Sequence, residues 1–257
     1  MPRRARLESV SGYYHIMTRG INKEKIFETK KEKETIMTFI REKSQEEACK
    51  IAAYCIMNNH LHIIAITEKP ILINVMKKIN ISYAMSYNQR HERIGPVFQD
   101  RFRSENINND RHFYGVLRYI HNNPVNAGIV PKAEEYIWSS MREYLNGRTL
   151  LIDEKVKDDI MHHFMSKKSF IDFHNLQDET IYLEVKEETE ILEEKRAKRI
   201  IKDYFEKKGI NDLIKPGDKD ELVEKLLKET NLSYRRIAKE TGTSINTVFR
   251  ANKKNRP

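Results

Sequence analysis

Residues 51–66 read IAAYCIMNNHLHIIAI, and the residues that follow the two histidines are apolar and mostly β-branched. Such residues favour a β-strand over a helix. Side chains of a strand alternate between its two faces, so we expect His60 and His62 on one face and Leu61 and Ile63 on the other. Two imidazoles about 7 Å apart on one face can bind a single divalent cation. The alternative is a chance pair, because the chain contains nine histidines.

The chain is basic overall, but its charge is unevenly distributed. Its 257 residues carry a net charge of +9, made up of +8 in residues 1–150, −8 in residues 151–194 and +9 in residues 195–257. Blocks of this kind usually mark separate units, and basic blocks attract polyanions, although a solvated helix surface is the simpler explanation of charge alone. The sequence predicts a first domain over residues 1–150, an acidic helical connector over 151–190 and a helical domain over 191–257.

The cysteine content and the hydropathy of the chain exclude several protein classes. Cys49 and Cys55 are too few for a disulfide scaffold and lack the CxxC spacing of a metal site. No apolar run approaches the length of a membrane span, and the basic N-terminus has no apolar segment behind it. We therefore expect a cytoplasmic protein without a membrane partner.

Hydrophobic periodicity predicts alternating strands and helices in the first domain. We expect a strand over residues 13–20, a helix over 32–47, the histidine strand, a helix over 71–90 and a strand over 97–103. A third helix is expected from His112 to about Asn123, capped by Asp110 and ended by Pro124. This order of elements predicts an α+β sandwich.

The third helix carries a second set of chemically suitable residues. Tyr119 and Asn123 are four residues apart and so share one face of the helix. A tyrosine can act as a nucleophile toward a phosphodiester, but its ordinary pKa of about 10 means that it needs assistance at neutral pH. A cation held by His60 and His62 would polarise the phosphate, and the amide oxygen of Asn123 could complete the coordination. The alternatives are a half-buried core tyrosine and a helix-terminal asparagine.

Three segments, in this order and spacing, resemble the single-tyrosine HUH transposases, and in particular the REP-associated tyrosine transposases. They are NNHLH at residues 58–62, GPVFQDRF at residues 95–102 and YIHNNPVNAGIV at residues 119–130. The segments TRGIN at residues 18–22 and IF at residues 26–27 also resemble the first strand and loop of that family. The resemblance covers roughly residues 8–145 and is most specific at residues 119–128.

This resemblance implies a ferredoxin-like antiparallel sheet with helices that cuts and rejoins single-stranded DNA with hairpin or palindromic ends. The family tyrosine, matched by Tyr119, forms a covalent 5′-phosphotyrosine and releases a 3′-OH, so joining needs no nucleotide cofactor. The family metal, Mg²⁺ or Mn²⁺, would be bound by His60 and His62. Asn123 matches a third ligand that is Gln or His in several relatives, and His121 ranks second. Relatives act as monomers or homodimers.

DNA binding requires groups that contact phosphates and bases. The candidates for phosphate contacts are Arg3, Arg4, Arg6, Arg19, Arg101, Arg103 and Arg118. Arg19, Arg101 and Arg103 are the better ones, because they lie beside the family-like segments. Aromatic side chains can stack on bases, although each is individually more typical of a core. The aromatic candidates are Tyr13, Tyr14, Tyr54, Phe98 and Phe102.

The C-terminal residues predict a separate helical module. We expect a helix from Ile191 to Phe205 and a capping box at Asp218 and Glu221. Residues 232–250, LSYRRIAKETGTSINTVFR, resemble a bacterial helix-turn-helix with Gly242 at the turn. Ile237, Ala238, Ile245, Val248 and Phe249 would pack inward, while Ser244, Asn246, Thr247 and Arg250 would face the major groove of duplex DNA. The alternative is a small bundle that contacts protein.

Three functions compete at this point. The first is a DNA strand transferase, a transposase with an accessory duplex-binding tail. The second is a domesticated DNA-binding regulator that has lost cleavage, and the third is a metal-dependent hydrolase that uses water. The combination of His60, His62, Tyr119 and Asn123 favours the first, because a regulator needs no nucleophile and a hydrolase does not need Tyr119.

Overall fold

A computed structural model describes residues 8–176, 182, 186–209, 216–230 and 232–254 of the chain. The chain divides into two compact units, residues 1–183 and 184–257. Residues 154–175, inside the segment predicted as an acidic connector, form helices of the first unit. The boundaries expected after residues 150 and 190 remain predictions.

The first unit is built on a four-stranded antiparallel sheet. Its elements are, in order, β1 (Tyr13–Arg19), α1 (Lys30–Glu46), β2 (Lys50–Ile56), β3 (His60–Ile66), α2 (Lys69–Arg90) and β4 (Arg103–Asn106). The strand order in the sheet is β2-β3-β1-β4, and all three pairings are antiparallel. The βαββαβ succession is that of the ferredoxin-like fold, so the predicted α+β class is confirmed.

The register of the sheet puts the two histidines on one face. Arg19 of β1 lies opposite His60 of β3, and Met17 lies opposite His62. Residues directly opposite each other in an antiparallel pair share a face, so this is the histidine face of the sheet. The intervening residues lie on the other face, where Asn80 of α2 donates to the Thr18 hydroxyl at 3.3 Å.

Four further α-helices of the first unit lie in the residues that the structure describes: α3 (Asp110–Asn126), α4 (Met141–Asn146), α5 (Glu154–Phe164) and α6 (Lys167–Asn175). Helix α3 packs on the histidine face, where the Phe113 ring lies 5.4 Å from that of Tyr13. Its buried residues Val116, Leu117 and Ile120 join the core. The sheet is therefore covered on both sides.

Two strand predictions were wrong. The sequence predicted three strands, but the structure has four. β2 was missed because residues 51–66 were treated as containing one strand, whereas a turn at residues 57–59 divides this run into β2 and β3. That turn is fixed from outside: the carbonyl oxygens of Asn58 and Asn59 accept from the N–H groups of Phe27 and Gly20, each at 2.8 Å. The strand expected at residues 97–103 begins only at Arg103, since residues 97–99 pair irregularly with the chain around Gly20.

Both predicted ends of the third helix were also wrong. Asn109, one residue before Asp110, is the N-cap, and its side chain accepts from the His112 N–H at 2.9 Å. The helix runs through Pro124 to Asn126. A proline in the last turn removes one hydrogen bond donor, and the Ala127 N–H still donates to the Asn123 carbonyl at 3.0 Å.

The second unit is helical throughout the residues that the structure describes. It consists of α7 (Lys186–Lys208), α8 (Pro216–Glu229), α9 (Tyr234–Thr241) and α10 (Ile245–Lys254). Its core is formed by apolar side chains of all four helices, among them Ala197, Leu222, Val223, Leu226, Ile237 and Val248. Gly242, with a φ of +63°, joins α9 to α10. Within the described ranges of both units, no helix is long and apolar enough to cross a membrane.

Two details of the second unit differ from the prediction. Asp218 lies inside the first turn of α8, and Glu221 does not close a capping box but accepts from Lys208 and Tyr204 of α7. Val248 is buried as expected, but Ile245 and Phe249 are about half exposed. Among the described side chains of α10, Val248 and Ala251 are the buried ones, because they lie on the side of the helix that faces the core.

Both cysteines lie inside the first unit. Cys49 and Cys55 are buried, and neither forms a disulfide. Burial raises the pKa of the Cys49 thiol to about 11 and raises that of the Cys55 thiol further. The thiolate, which is the reactive form, is therefore suppressed in both.

Candidate active site

The two predicted metal ligands meet on the histidine face. His60 and His62 are both buried, and their rings contact each other at 5.0 Å between centroids in a perpendicular arrangement. His60 Nδ1 lies 2.7 Å from the Asn59 side-chain oxygen. An amide oxygen can only accept, so this contact places the proton on Nδ1 and the lone pair of the ring on Nε2.

A third histidine, which the sequence analysis missed, completes the cluster. His15 of β1 is fully buried, and its Nε2 lies 3.0 Å from Nδ1 of His62. Burial lowers the pKa of His15 to about 3, helped by the nearby charge of His112, and burial together with His60 and His15 lowers that of His62 well below its ordinary value. Both rings are neutral at physiological pH, and neutral imidazole is the form that binds metal ions. The alternation of β1 gives the only sequence signal, since it places His15 on the side of Met17.

The predicted nucleophile lies against this cluster. Tyr119 of α3 is 7 % exposed, and its ring centroid is 5.6 Å from that of His62 and 5.9 Å from that of His15. Its hydroxyl makes no hydrogen bond within the described residues. The fold thus brings the phenol of Tyr119 together with the imidazoles of His62 and His15, which lie 57 and 104 residues before it in the sequence.

The fourth predicted residue is less directly placed. Asn123 follows Tyr119 by one turn on the buried side of α3 and is 8 % exposed. Its place on the same helix face as Tyr119 is what relates Asn123 to the other three residues.

The donor groups suit a divalent cation. His62 Nε2 is buried and has no hydrogen bond partner among the described residues, as expected of a nitrogen that binds a metal. No group of three or more His, Cys, Asp and Glu side chains in the described ranges is arranged for a metal. Neutral amide oxygens, such as that of Asn123, are also groups that Mg²⁺ accepts as ligands.

A second aromatic side chain that sequence analysis missed lies over the tyrosine helix. The ring of Tyr182 is 5.3 Å from that of Tyr119 and stacks on that of His112 at 6.0 Å. A Cβ atom at Gly115 would lie 1.9 Å from the Tyr182 hydroxyl. Gly115 therefore admits Tyr182 to this surface, and a glycine inside a predicted helix was the available signal, since it costs about 1 kcal/mol relative to alanine.

The structure excludes His121 as the alternative ligand. Its Nδ1 lies 2.8 Å from Nε2 of His174, and its Nε2 lies 2.7 Å from the Ser140 hydroxyl. His174 Nδ1 in turn donates to the Phe170 carbonyl at 2.7 Å. Burial lowers the pKa of His121 well below its ordinary value and that of His174 to about 4. Both nitrogens of His121 are committed to this buried network.

Of the predicted phosphate-binding arginines, those at positions 3, 4 and 6 lie outside the described residues, and the other four fall into two groups. Arg101 and Arg103 are exposed, on the loop before β4 and at its first residue. Arg19 is buried at the edge of the histidine face, and the guanidinium of Arg118 lies 4.7 Å from the centre of the Phe173 ring. Arg101 and Arg103 are the more accessible to a nucleic acid.

Most aromatic residues proposed for base stacking belong to the core instead. Tyr14, Tyr54 and Phe102 are buried. The Tyr54 hydroxyl donates to Glu143 at 2.6 Å, and the Tyr14 hydroxyl accepts from the Ser9 N–H at 2.9 Å. Tyr13 and Phe98 are only partly buried and pack against the same core.

The residues predicted to face duplex DNA lie just before α10 and along its first six residues. Ser244, Asn246 and Arg250 are exposed, and Thr247 is partly exposed. The Ser244 hydroxyl accepts from the Thr247 N–H at 3.1 Å. This bond is typical of an N-cap, so Ser244 also stabilises the helix.

Comparisons with known proteins identify the first unit. Residues 8–123 match the family model described as transposase IS200-like. A solved REP-associated tyrosine transposase bound to a REP hairpin is 16 % identical, with a TM-score of 0.48 over 60 % of this chain and 92 % of that one. A structure assigned as a transposase from Deinococcus radiodurans R1 is 11 % identical, with a TM-score of 0.33 over 48 % and 95 %. No curated protein matches the chain. Residues 8–123 are therefore similar to the IS200-like transposases, and this match covers somewhat less than half of the chain.

Proposed function

We propose that the chain is a DNA transposase that cuts and rejoins single-stranded DNA through a covalent 5′-phosphotyrosine on Tyr119. The observation that carries this proposal is the convergence of the Tyr119 ring on His62, in a buried site that also holds His60. The process served would be transposition or recombination of elements with hairpin or palindromic ends.

The reaction is a transesterification. The phenol oxygen of Tyr119 attacks phosphorus and forms the new ester, while the bond from phosphorus to the 3′-oxygen of the preceding nucleotide breaks. The phenol loses one proton and the leaving oxygen gains one, so the step balances as one ester and one hydroxyl on each side. Attack by a 3′-OH on the phosphotyrosine reverses the step and joins the strands, which is why no nucleotide cofactor is required.

The surrounding residues supply binding and orientation. His60 and His62, with Asn123, would bind Mg²⁺ or Mn²⁺, which supplies Lewis-acid stabilisation of the phosphate charge. The Asn59 side-chain oxygen accepts a hydrogen bond from His60 Nδ1 and so fixes the orientation of the His60 ring. The neutrality of His62, which follows from its burial, keeps its ring available as a ligand at physiological pH.

DNA would be held at two places. Arg101 and Arg103, being exposed near the site, would contact phosphates of the single strand together with Arg19 and Arg118. In the second unit, α9, the Gly242 turn and α10 would act as a helix-turn-helix, with Ser244, Asn246, Thr247 and Arg250 facing the major groove. The active species would be a monomer or a homodimer.

The test is covalent capture of DNA by the full-length protein. Labelled hairpin-bearing single-stranded oligonucleotides, taken from palindromes that flank the gene, are incubated with Mn²⁺ and analysed on a denaturing gel. Wild-type protein should give a protein–DNA adduct and Tyr119→Phe none, while the Phe variant still binds the oligonucleotide. Tyr114→Phe, which removes another hydroxyl from the same helix, should retain the adduct.

The other outcomes identify the competing functions. Cut DNA without an adduct would indicate a hydrolase that uses water. Binding without any cut would indicate a regulator that keeps the fold but has lost cleavage. An adduct formed by Tyr119→Phe would show that another residue is the nucleophile.

A further inference from the structure

His15 lies at the centre of the histidine face, yet the reaction above gives it no role. It is fully buried, and β1 pairs it with Ile64 of β3 on one side and with Glu105 of β4 on the other. Its Nε2 is 3.0 Å from His62 Nδ1, and its Nδ1 is 4.0 Å from the Glu105 carboxylate. The three side chains form a row that leads from the strand edge to the ligand.

The chemistry of a histidine ligand fixes the direction of the hydrogen bond between His62 and His15. For His62 to bind a cation through Nε2, that nitrogen must present its lone pair, so the proton of the neutral ring must be on Nδ1. The Nδ1–H group then donates to His15 Nε2. His15 must in consequence carry its own proton on Nδ1, directed toward Glu105.

The opposite arrangement is disfavoured by the same geometry. If His15 donated from Nε2, His62 would carry its proton on Nε2 and could not bind a metal through that atom. The lone pair of His15 Nδ1 would then face the carboxylate of Glu105, an acceptor that carries negative charge. Neither His15 Nδ1 nor Glu105 Oε2 has a hydrogen bond partner among the described residues, and with the two atoms 4.0 Å apart an N–H group at His15 Nδ1 suits the nearby carboxylate better than a lone pair does.

We propose that His15 is a positioning residue that holds His62 in the tautomer required for metal binding, with Glu105 orienting His15 in turn. A metal-binding histidine usually donates its second ring nitrogen to an acceptor that fixes its orientation, and here that acceptor is a second imidazole. The inference rests on the proposed function in one respect, that His62 is a metal ligand.

The first measurement uses the metal-free, full-length protein and is independent of activity. Long-range ¹H–¹⁵N correlation spectra of ¹⁵N-labelled protein show which ring nitrogen of each histidine is protonated. His15→Gln and His62→Gln identify the two rings by the loss of their signals. The expected result is that His15 and His62 both carry the proton on Nδ1. A proton on His62 Nε2 in the wild-type protein would overturn the proposal.

The second measurement is the affinity for Mn²⁺ alone, obtained from the electron paramagnetic resonance signal of the unbound ion. His15→Phe fills a similar space without an acceptor and should weaken binding about 10- to 100-fold, the usual effect of losing such a partner. His15→Gln should restore most of the affinity, because its amide oxygen can accept from His62 Nδ1. A purely structural role for His15 would give no such rescue.

The control variant changes a histidine of the other buried pair, His121 and His174. His174→Gln changes a histidine that is bonded to His121 at 2.8 Å, and it should leave the Mn²⁺ affinity unchanged. Wild-type affinity in His15→Phe would refute the proposal. Failure of the wild-type protein to bind Mn²⁺ would instead refute the metal site of the proposed function, while the tautomer measurement still decides the role of His15. If His15→Phe does not fold, the tautomer measurement and the Mn²⁺ affinity of His15→Gln still decide the role of His15.

Discussion

Acid should destabilise the first unit steeply, and His174 should account for a definite share of the loss. This histidine is almost fully buried, with one ring nitrogen bonded to His121 and the other to the Phe170 carbonyl. In the folded protein its pKa is lowered from 6.5 to about 4, chiefly because burial penalises the charged ring. The unfolded chain therefore binds a proton at a pH where the folded protein does not.

The sign and the magnitude follow from this difference. Above pH 6.5 the ring is neutral in both states, and as the pH falls toward 4 only the unfolded state gains the proton, so stability is lost on acidification. Each pKa unit corresponds to about 1.4 kcal/mol, which gives a total loss of about 3 kcal/mol from His174 below pH 4. Between pH 7 and pH 5 the share of this one histidine is about 2 kcal/mol.

The assay is urea unfolding at pH 7 and pH 5, followed by the fluorescence of Trp138, the only tryptophan of the chain. Because Trp138 lies in the first unit and its carbonyl accepts from the Ile56 N–H at 2.9 Å, it reports on that unit. His174→Gln keeps an acceptor for His121 but cannot be protonated. Its free energy of unfolding should fall by about 2 kcal/mol less between the two pH values than that of the wild type.

His162→Gln serves as the matched control. His162 is exposed near the end of α5, and its replacement should leave the pH dependence as in the wild type. Equal pH dependence in the wild type and His174→Gln would refute the argument, because it would mean that the buried ring is charged in the folded protein or that the unfolded chain does not take up the proton.

Four further predictions concern the helix α3, the metal ligands and the second unit. Gly115→Ala should destabilise the first unit by about 1–3 kcal/mol in thermal unfolding, because the added Cβ atom collides with the Tyr182 hydroxyl. Adding Tyr182→Ala to this variant should restore most of the lost stability. If it does not, the contact between Gly115 and Tyr182 is contradicted. Asn123→Ala should weaken Mn²⁺ binding less than loss of either histidine ligand, since water can replace a neutral oxygen. Truncation after residue 183 should leave cleavage of single-stranded DNA unchanged but weaken duplex binding, and equal duplex affinity would favour a protein-contact role. Arg250→Ala should cost about 1–3 kcal/mol of duplex affinity if it reads a guanine, or lower the salt slope by about one if it contacts only phosphate.

The sequence was sufficient for the class of fold and for most of the candidate site because those features depend on local periodicity. Alternation along β3 placed His60 and His62 on one face, and helical spacing placed Asn123 one turn after Tyr119. The C-terminal helices and the turn at Gly242 follow in the same way from apolar spacing and a glycine that adopts a positive φ.

The features that sequence reasoning missed depend on contacts between distant segments. β2 was missed because the turn at residues 57–59 lies within one largely apolar run, and its carbonyl oxygens also accept from the N–H groups of Phe27 and Gly20. His15 and Tyr182 belong to no local motif. The pairing of β1 with β3 brings His15 to Tyr119, and the space left by the missing side chain of Gly115 admits Tyr182. His121, by contrast, has a suitable position for a ligand, but His174 and Ser140 already occupy both of its ring nitrogens.

The burial of both cysteines makes the protein convenient to label. Because Cys49 and Cys55 are inaccessible and their thiols resist ionisation, maleimide reagents should leave the native protein unmodified. A single cysteine introduced at an exposed position, such as Arg101 or Asn246, would then carry a fluorophore or a cross-linker without removal of the natural ones. Cross-linking from these two positions to single-stranded and duplex DNA would map separately which unit contacts each form.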